Sequence, residues 1–287
     1  MRIRIHVAVF LGLLASCCAQ TSASEPAVRS GFAPVNGLKL YYEVSGSGEP
    51  IVLIHGGVAG IVAFGDLPAT LAAHRKVIAV ELQGHGRTAD IDRAFSFAAM
   101  ADDIAGLIRY LELPRADLLG YSLGGEVALQ ASIRHPDCVG KLVLVSTTFR
   151  RDGWFPEVLA QFDHMGPEAG ETLKRSPLAQ IYPDVNWRAL FAKLGELERS
   201  PYDWSAAVSG LKVPIMLVFA DADSIRPEHV MEFYGLLGGG KQDAGLDGSR
   251  RPVAQLAILP GLTHYTIGSS PALSSVVAGF LNARGEK

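Results

Sequence analysis

The stretch Gly120-Tyr121-Ser122-Leu123-Gly124 sets one hydroxyl between two glycines. An apolar run, Ala116 to Leu119, precedes it, and a helix-forming stretch follows from Glu126. A sharp turn from a buried strand into a helix holds its central residue in a strained backbone conformation, and flanking glycines leave room for strand and helix to approach. Such a turn projects the hydroxyl outward and aims the helix N-terminus at it, where N–H groups favour developing negative charge. With those flanking elements, the pattern predicts a nucleophilic serine rather than a merely structural turn.

A serine hydroxyl is a weak nucleophile at neutral pH, so it needs a base, and the base needs an orienting carboxylate. His264 closes the apolar stretch Leu256-Ala257-Ile258-Leu259-Pro260-Gly261-Leu262-Thr263 near the C-terminus and is the candidate base. The candidate acid lies in Ala220-Asp221-Ala222-Asp223-Ser224, directly after the run Ile215 to Phe219. From the residues alone either Asp221 or Asp223 could serve, the other being a solvated or capping residue. The chain order Ser122, aspartate, His264 then predicts two-step acyl transfer. His55 and His85 each sit in a glycine-rich loop and are expected to hold the loop backbone rather than to act in the chemistry.

Those side chains must be carried by elements legible in the hydrophobic pattern. Phe32 to Val35 and Leu38 to Val44 flank Asn36-Gly37 and read as a strand-turn-strand unit. Continuous apolar runs at Ile51 to Ile54, Val77 to Val80, Ala116 to Leu119, Leu142 to Val145 and Ile215 to Phe219 read as strands buried on both faces. Between them, Phe97 to Leu111 carries apolar residues at helical spacing, and Glu126 to Ile133 reads as a helix closed by His135-Pro136. Alternating strands and helices predict an α/β fold with a mostly parallel, doubly covered sheet. From Thr148 to Leu211 the alternation stops. Short helical pieces separated by prolines carry all three tryptophans, so this segment could line an apolar site above the sheet or simply fill its own small core. The predicted division is a leader over 1–25, a core over 26–147 and 212–287, and a helical insertion over 148–211.

Taken together, these motifs resemble the α/β-hydrolase superfamily over essentially the whole mature chain. His55-Gly56-Gly57 is similar to the segment that follows the third strand in that family. Glu81-Leu82-Gln83-Gly84-His85-Gly86-Arg87-Thr88 resembles its D-x-x-G-x-G-x-S loop, with Glu and Thr in place of Asp and Ser. The family's acid segment, G-x-x-D-x-x-x-P, aligns on Ala220 to Pro227 and selects Asp223 over Asp221. Its G-H segment aligns on Thr263-His264, without the glycine. The resemblance implies oxyanion donors from the backbone of Gly57 and Leu123, the 148–211 insertion as a cap, and hydrolysis of carboxylic esters or lactones without a cofactor. Serine at the elbow speaks against the members that use aspartate there, the haloalkane dehalogenases and epoxide hydrolases. The alternatives are a C–C bond hydrolase or cofactor-free perhydrolase on the same triad, or a ligand-binding receptor.

The composition excludes other classes. The 287 residues are 48% hydrophobic and 19% charged, which is ordinary for a globular chain and unlike a disordered or fibrous one. A net charge of −3 without a long basic run gives no footprint for nucleic acid. Arg2 and Arg4 precede an apolar run, Val7 to Ala15, too short to span a membrane and followed by small residues, which predicts an export signal. Leu14-Ala15-Ser16-Cys17 resembles a bacterial lipobox. Lipidation at Cys17 would leave a membrane-anchored lipoprotein, whereas cleavage after Ala19 or Ala23 would leave a free periplasmic protein. Cys138 is then the single thiol of the body and is expected to be structural. The eight His and three Cys show no ligand-like spacing, so no metal is expected.

Overall fold

The computed structural model describes residues 27–283. The export signal and the candidate lipidation site Cys17 therefore lie outside the described residues. The chain runs β1 (Arg29–Val35), β2 (Leu38–Ser45), β3 (Pro50–Ile54), α1 (Leu67–Ala72), β4 (Lys76–Val80), α2 (Phe97–Tyr110), β5 (Ala116–Tyr121), α3 (Leu123–Arg134) and β6 (Val139–Val145). Five short helices follow: α4 (Pro156–Asp163), α5 (Pro167–Leu173), α6 (Pro177–Ile181), α7 (Trp187–Arg199) and α8 (Ser205–Ser209). The alternation then resumes with β7 (Ile215–Ala222), α9 (Pro227–Leu236), β8 (Gln255–Thr263) and α10 (Pro271–Asn282).

The eight strands form one sheet in the order β1-β2-β4-β3-β5-β6-β7-β8. β1 pairs antiparallel with β2, and β2 antiparallel with β4; every later pairing is parallel. Alternation along the strands explains the continuous apolar runs. Val52, Ile54, Leu118, Leu142, Leu144 and Leu217 face a core shared with α2 and α3, while Ile51, Leu53, Leu119, Val143, Val145 and Val218 face a second core under α1 and α10. Both faces of the central strands are covered, so β3 to β6 read as continuous apolar runs, while the edge strands β1 and β8 keep exposed positions.

From β3 the chain crosses to β4 on one side, and β5 returns to the other side of β3. A crevice opens at such a switch point outside the carboxyl ends of the strands, where ligands bind in open α/β sheets. His55-Gly56-Gly57 leaves β3 there and Ser122 leaves β5 there.

The helical insertion is tied by charge to the segment between β4 and α2. Lys193 on α7 donates to both carboxylate oxygens of Asp90, at 2.8 and 2.7 Å, and to the carbonyls of Ile91 and Arg93. Asp90 belongs to the segment between β4 and α2. Arg93 in the same segment makes a two-pronged contact with the buried Asp103 of α2. Charge-assisted contacts of this kind, partly shielded from water, hold the insertion in register over the site.

Candidate active site

Ser122 sits at φ +53°, ψ −124°, between the last residue of β5 and the first of α3. A β-carbon on Gly120 would overlap the Gly124 carbonyl, and one on Gly124 would overlap the Ile54 carbonyl. The two glycines are therefore required for packing α3 against β5 and β3, not for a special backbone angle at either position. The Ser122 N–H donates to the Val145 carbonyl at 2.9 Å, which ties the turn to β6.

The Ser122 hydroxyl lies 3.0 Å from His264 Nε2, and His264 Nδ1 lies 2.9 Å from Asp223 Oδ1. With a carboxylate on Nδ1, that nitrogen carries the proton and Nε2 is free to accept from the serine. Asp223 also accepts from the Ser146 hydroxyl at 2.5 Å, from the Ala220 N–H at 3.0 Å and from the Ser224 N–H at 2.8 Å. Burial alone would raise its pKa, but His264, Ser146 and the Ala220 N–H outweigh burial and hold the carboxyl below its ordinary value. Asp221, by contrast, is exposed and accepts from the Leu262 N–H. It is the other aspartate, not Asp221, that meets the histidine.

Two aromatic side chains fix the imidazole. The Tyr121 hydroxyl donates to the His264 carbonyl at 2.6 Å, and the buried Trp154 ring meets the imidazole edge-on at 5.2 Å. Trp154 is itself bridged to Ile225, just past the acid, in a short antiparallel pair. The insertion thus enters the site beside the loop that carries Asp223.

On the other side of Ser122, the backbone N–H groups of Gly57 and Leu123 make no backbone hydrogen bond among the described residues. His55 and His85 behave as loop braces. His55 Nδ1 donates to the Gly56 carbonyl at 2.7 Å while its Nε2 accepts from the Leu82 N–H, and His85 Nδ1 lies 2.9 Å from the Gln83 carbonyl. Burial lowers their pKa values to about 4 and about 3. In the following loop Glu81 accepts from the backbone N–H and guanidinium of Arg87, and Thr88 donates to the Glu81 carbonyl. Glu and Thr at these two positions therefore close the loop with their own hydrogen bonds.

Ser122 and His264 open into a cavity of about 300 Å³. Trp154 and Phe162 from the insertion, Leu194 on α7 and the exposed Tyr265 make most of its wall apolar and aromatic, with Glu198 of α7 as its ionisable group apart from His264 and the tyrosines. A larger depression of about 840 Å³ lies at the N-terminal ends of β7 and β8, beside the 238–251 loop, and contains none of these residues. We locate the candidate site at the smaller cavity because Ser122 and His264 line it. Ser146, Trp154 and Glu198 were not marked by any sequence motif, and Tyr121 lies within the Gly120–Gly124 motif without its role being legible there. Ser146 had a readable signal, a polar residue closing the apolar run of β6, and Trp154 had one as a tryptophan of the insertion expected either to line an apolar site or to fill its own core.

The Cys138 thiol donates to the His135 carbonyl, and burial raises its pKa. Among the described residues no cluster of three His, Cys, Asp or Glu is arranged to hold a metal ion.

Residues 51–274 match the alpha/beta hydrolase family. The chain is similar to the pimeloyl-[acyl-carrier protein] methyl ester esterase of Yersinia pseudotuberculosis, 30% identical over 263 residues that cover 81% of this chain and 93% of that protein. It is 35% identical to the protein of the same name from Neisseria meningitidis over 211 residues, 64% of this chain and 79% of that one. Among solved structures, the enol-lactonase of Burkholderia xenovorans superposes with a TM-score of 0.69 at 21% identity, over 88% of this chain and all of that one. The meta-cleavage product hydrolase of Pseudomonas fluorescens gives 0.64 at 19% identity, over 90% of this chain and 98% of that one. At those identities the likeness to the solved structures is one of fold.

Proposed function

Because the chain belongs to the alpha/beta hydrolase family, whose members here are hydrolases, we propose that it cleaves carboxylic esters or lactones through Ser122, His264 and Asp223. The observation that carries this reading is the imidazole bridge: His264 spans the serine hydroxyl at 3.0 Å and the carboxylate at 2.9 Å. His264 removes the proton as Ser122 Oγ attacks the carbonyl, and Asp223 stabilises the imidazolium that forms. The N–H groups of Gly57 and Leu123 receive the oxyanion, a role in which losing one donor costs ~3 kcal/mol. The C–O bond then breaks, His264 passes its proton to the leaving alcohol, and an acyl-enzyme remains on Ser122. Water, deprotonated by the same imidazole, repeats the attack and releases the acid. Two curated relatives named methyl ester esterases support an ester as the bond cleaved.

A panel of aryl esters and small lactones tests the proposal. Wild-type protein is expected to turn over at least one member, and Ser122→Ala to lose about 10⁴-fold or more in kcat. A Ser122→Ala protein that cleaved the same compounds at the wild-type rate would refute it. The basic, apolar N-terminal stretch supports placing the enzyme outside the cytoplasm, with Cys17 as the lipidation candidate. No helix among the described residues is long and apolar enough to cross a membrane.

A further inference from the structure

Glu198 projects from α7 into the same cavity as Ser122 and His264. Among the described residues its carboxylate makes no hydrogen bond and no ion pair. The nearest cation does not serve it: Arg151 Nε donates to the backbone carbonyl of Glu198 at 2.6 Å, and its Nη2 to Asp163 at 2.7 Å. Glu126, buried at the start of α3, adds a second carboxyl nearby and is itself engaged by the Thr148 N–H and hydroxyl. Burial pushes the Glu198 carboxyl up to about 7, against a smaller opposing pull from Arg151. Glu198 is half-buried, so its carboxylate is open to the cavity, and acids perturbed in this way cluster at functional sites.

The rest of the wall says which ligand. The rings of Trp154, Phe162 and Tyr265 line the cavity, and no lysine or arginine does. A ring face attracts a cation through its quadrupole, more strongly when water is excluded. An anionic group would meet Glu198 with no compensating charge. At about 300 Å³ the cavity is at the small end for ligand sites, and Ser122 and Glu198 border the same small space.

We propose that Glu198 and the aromatic rings lining the same cavity select substrates carrying a cationic nitrogen, an ammonium or quaternary ammonium group, a short chain away from the scissile carbonyl. This specificity rests on the hydrolase reading above for its kinetic consequence, but the binding it predicts does not.

Two isosteric probes separate the two claims: the methyl ester of 4-trimethylammoniobutyrate and methyl 5,5-dimethylhexanoate, which differ by one nitrogen for one carbon. Calorimetric titration of the full-length Ser122→Ala protein with each is expected to give at least tenfold tighter binding of the charged ester. Introducing Glu198→Gln into that protein is expected to bring the two affinities within about threefold. Equal affinities without the Glu198 change overturn the inference, whatever the variant does. A preference that survives Glu198→Gln overturns the role of that residue. In the wild type, the same pair should show a tenfold or greater kcat/KM ratio in favour of the charged ester, carried mainly by KM. If the charged ester binds preferentially but neither probe nor any panel ester is hydrolysed, the hydrolase reading fails while the cation site stands. If esters are hydrolysed with no charge preference, the reverse holds.

Discussion

Ser146 donates its hydroxyl to Asp223 from a backbone held at φ +49°, a conformation that a side-chain-bearing residue rarely adopts. The strain and the hydrogen bond coincide at one residue, so the strain is retained where it orients the carboxylate. Ser146→Gly separates the two, because glycine accepts the angle and cannot donate. We expect kcat/KM to fall about tenfold, the scale of one hydrogen bond to a charged group, with little change in the denaturation midpoint. Unchanged kcat/KM would show that Asp223 is held well enough by His264 and the Ala220 N–H. Sequence reasoning reached Ser122, His264 and an aspartate because each closes an apolar run at a fixed chain order. It did not reach Ser146 or Glu198, and it reached Trp154 only as one of three tryptophans in a segment that could line a site; all three approach from other strands and helices across more than twenty residues of sequence. No spacing rule connects residues that only the sheet order and the insertion bring together.

Among the elements, the strands and α2 were legible because burial on two faces, or on one helical stripe, writes itself into the pattern. The start of α3 was less so. Its first turn is Leu123-Gly124-Gly125, and its glycines are there for close packing, so a pattern search begins the helix three residues late at Glu126. The arrangement of α4 to α8 was not legible at all, since short helices broken by prolines carry little periodicity. Their placement depends on contacts such as Lys193 with Asp90. Lys193→Met keeps the aliphatic stem and removes the ammonium, leaving Asp90 without its cation and the Ile91 and Arg93 carbonyls with only the Gln83 amide as donor. We expect a loss of about 1–3 kcal/mol, seen as a midpoint lower by several degrees, and a KM raised severalfold with kcat within about twofold. The triad rests on β5, β7 and β8, whereas α4 and α7 supply much of the cavity wall, so binding should suffer before chemistry does. A fall in kcat with unchanged KM would mean that the insertion helps align the triad directly.

For the whole molecule, pH dependence follows from the buried histidines. His55 and His85 stay neutral when folded until about pH 4 and about pH 3, while in the unfolded chain they protonate near 6.5. Between those limits the unfolded state binds more protons, so stability rises with pH and is lost as pH falls below 6.5. Each imidazole contributes up to about 1.4 kcal/mol per pH unit in that window. Glu126 and Glu198, raised by burial, act in the opposite direction over part of it. The difference between proteins is therefore the useful quantity. His85→Gln should flatten the slope of unfolding free energy between pH 4 and 6 by about 1 kcal/mol per unit relative to wild type, measured by urea titration. An identical slope would mean that His85 protonates inside the folded protein.

The account stands on Ser122 being made nucleophilic by His264. Treating the wild-type protein with a fluorophosphonate and mapping the adduct by mass should give one equivalent, on the peptide that contains Ser122. His264→Ala should slow that labelling by about 10³-fold or more. An adduct on another residue, or labelling of Ser122 at the same rate without the imidazole, would contradict the central claim.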